Sequence, residues 1–518
     1  MSLKSLNPDG YADLEGPLLG SAPQPVQGKP LMERRLDRDF AMVAGIALVT
    51  CLLLGWVQNT VGVIAVAGGQ GWDGSVFVRV IHEIVTGAYS NSDPYRAIRT
   101  VAFPAIYYIE YFRPEANIVN AQRNVNILSM VASICMLYTS ARLKSVARST
   151  AVVTVATFFA AWCVLVVPVF TPVLTDHLAI FTSSLSLLLW AADRKRGLYV
   201  IVLACVWVMP SAALIPLALL AMKDEPGDTR WPPVPVRINV ACLLASLAIC
   251  AAVYMWKGPA LLEGVDTHVF DFPRNPDGEL TGSLRLLPVS IIVVIAMVFL
   301  CVRSAVLFLT SHIRHVDAKR VVVGLLVALA SFAVMRLLID FDKGFSAGQL
   351  FNNMTKQALS APLKTWAAHA AYFGPAVLVT YYFVAFRRTV LPAPVLLCLV
   401  GFMPLLALGS ETRQWIAVLP VVMLALCFLP LSMRTRLALM LFSVCMFWGV
   451  WTLNDEVTQA VVTNVGLQHP LWNSYMGRVG PWMTMGVYRY WLVLATLMMI
   501  ALYLVEVLPR RLSRRVRG

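Results

Sequence analysis

Charge is scarce in this chain. Only 14% of its 518 residues are Asp, Glu, Lys or Arg, against about a quarter in a soluble globular protein. With a mean hydropathy of +0.71, that shortage excludes an ordinary soluble domain and predicts a multi-pass membrane protein. Paired cysteines are missing as well: all ten lie inside apolar runs, with no CxxC spacing. Neither a disulfide framework nor a thiolate metal site is expected. The seven histidines do not cluster, so a divalent cation has no ligand set to support it. No internal repeat marks the duplicated halves of a transporter. An early apolar core is also absent: residues 1–38 are rich in Pro, Gly and Ser, and the first apolar run begins only near residue 40. This predicts a disordered cytoplasmic tail followed by a retained anchor, not a cleaved signal peptide.

What the chain does have is 42 Lys and Arg against 28 Asp and Glu, a net charge of +14. The basic residues sit in short clusters between apolar runs, as cytoplasmic loops do, so the excess is a topology signal and no nucleic-acid partner is expected. Apolar spans are expected near 40–58, 124–141, 150–170, 177–192, 198–222, 238–256, 286–309, 321–339, 370–386, 391–408, 415–432, 437–453 and 485–508. Basic clusters bracket 198–222 at both ends, and Met209-Pro210-Ser211 interrupts it. Proline breaks a helix, so this run is read as a re-entrant or short helix pair. The fold class is then all-α: a polytopic transmembrane bundle of about 12–14 segments with both termini cytoplasmic. Residues 39–508 form the membrane domain, with 59–123 as a long first outer loop, and the arginines of 509–518 form a basic cytoplasmic tail suited to an anionic leaflet.

The first outer loop opens with GGQGWDGSVFVRVIH, Gly68 to His82. Apolar residues at 76, 77, 80, 81, 84 and 85 trace the stripe of an amphipathic, interfacial helix. Asp73 stands just before that stripe, where it suits a helix N-cap. Flanked by Trp72 and by glycines at 68, 69, 71 and 74, it equally suits a site acid, with the tryptophan as a stacking face and the glycines allowing close approach. Further on, Asp93-Pro94 starts a turn ahead of Arg96 and Arg99, which share one helix face. Basic residues are uncommon in outer loops, and guanidinium forks suit phosphate oxygens. Two other spans open on acids at the same side, Asp176-His177 and Glu411-x-Arg413. Each acid alone suits the helix dipole, whereas Arg413 opposes it and needs an anionic partner, either Glu411 or a ligand phosphate. The mixed stretch 340–369, with Asp340, Asp342, Lys343, Lys356 and Lys364, reads as a second interfacial helix.

In order and sidedness, the loop acid, the Asp-Pro-x-Arg-x-x-Arg stretch, the Thr-Asp heading the fourth span and the late Glu-x-Arg-x-Trp together resemble the GT-C glycosyltransferases. These are integral membrane enzymes that take a sugar from a polyprenyl-phosphate carrier on the outer side of a membrane. The resemblance implies a glycosyltransferase of the inner membrane with its site facing the periplasm, acting on a polyprenyl-phosphate-linked donor and a glycan, lipid or protein acceptor. It implies Asp73 as the general base on the acceptor hydroxyl. Asp176, with His177 beside it, would position the acceptor, and Trp72 would supply the sugar platform. Arg96, Arg99 and Arg413, with Glu411, would handle the carrier phosphate. Many relatives carry a second acid beside the loop aspartate; here those positions hold Gly71 and Ser75. A soluble outer domain after the last span, present in some relatives, is not expected. Two readings of another kind stay open. One is a transporter or flippase, for which Arg336 is the intramembrane candidate; the other is a polysaccharide polymerase or ligase with a diphosphate-linked donor. The sugar, the acceptor and the linkage depend on cavity shape and are not legible.

Overall fold

The computed structural model describes residues 30–91, 93–223, 234–258, 284–339, 347–386, 391–447, 450, 453, 475 and 477–517, without the side chains of 30–38, 284, 347, 349 and 508–517. Asp340, Asp342 and Lys343, the tail before residue 30 and most of 454–484 fall outside the described residues. By its contacts the chain divides into Met1–Gly45 and Ile46–Gly518, and the site lies wholly within the second unit.

Regular structure among the described residues is helical, apart from one isolated antiparallel bridge between Met222 and Val316. After α1 (Pro30–Val61) come α2 (Trp72–Val85), the short α3 (Pro94–Ala97), α4 (Pro104–Phe112) and α5 (Ile118–Leu143). The middle of the chain forms α6 (Arg148–Phe159), α7 (Trp162–Leu165), α8 (Val167–Phe170), α9 (Asp176–Ala191), α10 (Lys195–Val208), α11 (Leu214–Ala221) and α12 (Val236–Lys257). There follow α13 (Leu287–His312), α14 (Ala318–Leu338), α15 (Ala347–Ser360), α16 (Lys364–Phe373), α17 (Ala376–Phe386) and α18 (Ala393–Leu408). The last are α19 (Val418–Phe428), α20 (Met433–Cys445) and α21 (Met485–Arg517).

Among the described residues six stretches are long and apolar enough to cross a bilayer: Asp39–Val61, Ile118–Leu143, Val236–Lys257, Leu287–His315, Ala318–Leu338 and Met485–Val507. This is the make-up of a multi-pass membrane protein. The other expected spans are shorter or broken. The run at 150–170 is not one straight span: α6 and α7–α8 meet at a bend of 74°. Neither Gly nor Pro stands at that bend, so the local sequence gives no notice of it. Extended Ala161 turns Trp162 to pack near Phe447 and Tyr475, ring centroids 6.2 and 6.0 Å away. The run at 370–386 is also split, at Gly374 with φ +84° and Pro375, a left-handed glycine followed by a residue with no N–H to donate. Within 198–222 the helix stops at extended Met209, and Pro210 opens a tighter turn into α11.

Broken backbone away from water must find internal partners. Asn126 of α5 supplies them after the first break, donating from Nδ2 to the carbonyls of Pro168 (2.8 Å) and Pro172 (2.9 Å) while Gln122 donates to its oxygen. Two helices differ sharply from the lipid-facing type. Val418 through Cys427 of α19 and every residue of α16 except Trp366 are buried, and a helix covered on nearly every side belongs in the middle of a bundle. By contrast, α12 and α14 leave large apolar side chains such as Leu244, Met255, Leu329 and Leu337 exposed.

Candidate functional site

Asp73 lies in the first turn of α2, but it is not the cap. The N-cap is Gly71, with φ +75°, and no side chain bonds the first-turn N–H groups. Its carboxylate is thereby left for other partners. Two of the glycines around it serve packing and not approach of a substrate: a Cβ on Gly74 would lie 2.7 Å from Val173 Cβ, and one on Gly69 would lie 2.7 Å from Val63 Cγ1. The close fit at Gly74 brings the start of α2 against the strand of chain that leads into Asp176.

Asp93 does cap. Its Oδ1 accepts the backbone N–H of Arg96 at 3.1 Å with Pro94 at the first helical position, and its Oδ2 accepts Arg96 Nη1 at 2.8 Å. Serine, aspartate or asparagine before proline is a standard helix start; here the same acid also aims the arginine. The free edge of Arg96 then donates from Nη2 to Asp73 Oδ1 at 2.7 Å.

Arg413 reaches the same carboxylate from the far end of the sequence. It donates from Nη1 to Asp73 Oδ2 and from Nε to Asp176 Oδ2, both at 3.2 Å. Tyr372, at the broken end of α16, donates its hydroxyl to Asp176 Oδ2 at 3.0 Å. The anionic partners of Arg413 are therefore Asp176 and Asp73. Glu411 instead accepts from Gln414 Nε2 at 2.6 Å. The loop carrying Arg413 is tied down on several sides. Gln357 Oε1, near the end of α15, accepts Ser410 N, Ser410 Oγ and Glu411 N at 2.9, 3.0 and 3.2 Å. His369 bonds Thr412 Oγ1, Ser211 donates to the Gln414 carbonyl, and the Gly480 N–H donates to the Ser410 carbonyl. Side-chain bulk at Gly480 is excluded, since a Cβ would sit 2.4 Å from Ser410.

Beside this chain of charges opens a cleft. Asp73 and Arg413 stand in its wall with Trp72, Trp162, Tyr372, Tyr475 and Trp482. Asp73 keeps 40% of its side-chain surface open. Trp162 is fixed from behind by Arg478, whose guanidinium lies 3.8 Å from the indole centroid and donates to the carbonyls of Ala371 and Met446. Arg96 and Arg99 are not among the lining residues; they sit behind Asp73, with Arg99 stacked on Tyr95 at 4.2 Å. His177 also turns away, buried against α5, where it meets Gln122 Nε2 at 3.2 Å.

Burial pushes the Asp73 carboxyl up, but Arg413 and Arg96 outweigh it and hold it below the ordinary value. Glu411 goes the other way: burial pushes it up to about 7, against the pull of Arg413. For Arg413 burial works downward, and the two aspartates more than reverse it. Among the described residues no three His, Cys, Asp or Glu side chains converge as a metal site would require. The arrangement can bind an anion at Arg413 and accept a proton at Asp73, next to aromatic faces that suit a sugar ring.

Sequence reading did not single out Tyr372, Gln357, His369, Trp162 or Tyr475 as site residues. For Tyr372 a signal exists in Tyr-Phe-Gly-Pro, a break inside an apolar run. Trp162 has none. Comparison with protein-family models, with curated proteins and with solved structures returned no match for this chain.

Proposed function

We propose that the aromatic-walled cleft is the active site of a membrane glycosyltransferase of the GT-C kind, using a polyprenyl-phosphate-linked sugar at the outer face of the inner membrane. The observation that carries the reading is Asp73, the one carboxylate among the described residues that line the cleft, paired with Arg413, which in turn is held by Asp176. In this reading the acceptor hydroxyl gives its proton to Asp73 and its oxygen forms a bond to the anomeric carbon. The bond from that carbon to the phosphate oxygen breaks, and the electron pair leaves with the carrier. A phosphodiester becomes a phosphomonoester, so negative charge grows on the leaving group, where a guanidinium stabilises it best. No general acid is needed for such a departure. Asp176 and Tyr372 hold Arg413 in place and do not touch the reacting atoms. The glycan, lipid or protein acceptor stacks against Trp72 or Trp162.

Asp73→Asn keeps the shape and removes the base. Loss of a positioned general base costs about 10²–10⁴ in rate, read as transfer of radiolabelled sugar from a polyprenyl-phosphate donor by purified, correctly folded protein. Transfer at the wild-type rate would falsify the assignment.

A further inference from the structure

Asp73 has no free oxygen in this structure: Oδ1 takes Arg96 and Oδ2 takes Arg413. A carboxylate tied to two guanidinium groups is a poor base, because protonation would forfeit both ion pairs. The two arginines are not equivalent. Arg96 is pinned by Asp93 through both its backbone and its Nη1, and it sits behind the cleft. Arg413 lines the cleft, and its Nε bond to Asp176 can persist while its Nη edge changes partner.

Asp73, Asp93 and Asp176 bond Arg96 and Arg413, with Arg99 stacked on Tyr95 beside them and Arg478 behind Trp162; burial pushes Glu411 up to about 7. Arg99 makes no ion pair among the described residues, and its Nε is buried without an acceptor. An entering anion competes with Asp73 for the Nη edge of Arg413, and a carboxylate that loses a neighbouring cation binds a proton more readily. The group placed to take it is the one whose cation the anion borrows.

Resting on the donor reading above, we propose that Asp73 is a masked base: the donor phosphate draws the Nη edge of Arg413 off Asp73 Oδ2, freeing that oxygen toward the cleft while Arg96 holds Oδ1 in position. Donor binding then switches on the base, and the donor must be seated before the acceptor is deprotonated. An acceptor that enters first meets a carboxylate already satisfied, which guards against wasted proton transfer.

The test uses the full-length protein in lipid nanodiscs, with water-soluble carbodiimide labelling of Asp73 quantified by mass spectrometry at mildly acidic pH. Carbodiimides attack the protonated carboxyl, so labelling rises about tenfold for each unit by which the Asp73 pKa climbs. Polyprenyl phosphate is expected to raise labelling of Asp73, and uncharged polyprenol is not. An equal rise with inorganic phosphate supports the exchange and assigns it to the phosphate group alone. A rise confined to the lipid form supports it with the chain as part of the ligand. Arg413→Gln should label strongly without ligand and lose the response. If polyprenyl phosphate binds by native mass spectrometry yet leaves Asp73 labelling unchanged or lowered, the masking is wrong while the donor reading stands. If it does not bind at all, the donor reading itself fails and takes this inference with it.

Discussion

Arg413 and Asp176 stand 237 positions apart in the chain and meet through an Nε to Oδ2 hydrogen bond of 3.2 Å. That bond fixes one edge of the guanidinium against the head of α9 and leaves the other edge to Asp73. A planar, two-edged cation is required for this, and lysine offers only a point charge.

Arg413→Lys should therefore keep the charge and lose the bridge. We expect kcat/KM for the lipid-linked donor to fall by about 10²–10³, the usual cost of removing one oriented donor from a transition-state site. Steady-state kinetics with varied donor checks this, and an unchanged donor dependence would remove Arg413 from the site.

Glu411 supplies a pH dependence of stability. Its folded pKa of about 7 lies above the ordinary 4.5, so the folded chain keeps a proton that the unfolded chain releases. Stability from the neutral acid is complete below 4.5 and is lost as pH rises to about 7. Glu411→Gln, always neutral, should flatten this fall, by on the order of 1 kcal/mol for each pKa unit between the two states. Melting temperatures of both proteins in detergent across that window decide it; parallel curves would mean that folding leaves the Glu411 pKa where it is in the unfolded chain.

Gln357 holds the Arg413 loop from a distance. Its one oxygen accepts three donors at 2.9–3.2 Å and is buried at 2% exposure. Gln357→Leu should cost about 1–3 kcal/mol by leaving those donors without a partner, and should lower kcat with Arg413 misplaced. Gln357→Glu keeps the acceptor and should recover most of the stability. Unfolding curves paired with transfer rates separate the two effects, since a purely structural role would leave kcat of the folded fraction unchanged.

Much of the site's chemistry was legible locally. Asp73, Arg96, Asp176 and Arg413 stand out because charge is scarce and each opens or precedes an apolar helix at the end expected to face outward. Their partners were not legible. The cap expected at Asp73 falls instead on Gly71, because the close packing of Gly74 on Val173 sets where α2 begins relative to its neighbour. Likewise His177, adjacent in sequence to Asp176, points to Gln122, since consecutive helical residues face about 100° apart.

That this chain is helical, apolar and multi-pass, and which ends of its helices carry ionisable groups, could be read along the chain alone. Hydropathy and charge are sums over neighbours in the chain, so they need no fold to be read. That Arg413 binds Asp73 and Asp176 and not Glu411, and that Trp162, Tyr372 and Tyr475 line one cleft, follows from long-range packing. Those contacts depend on helix breaks at Ala161 and Gly374 and on carbonyls satisfied by Asn126 and Gln122's network. Such breaks form where distant packing outweighs local helix preference, and that balance is set by the whole bundle.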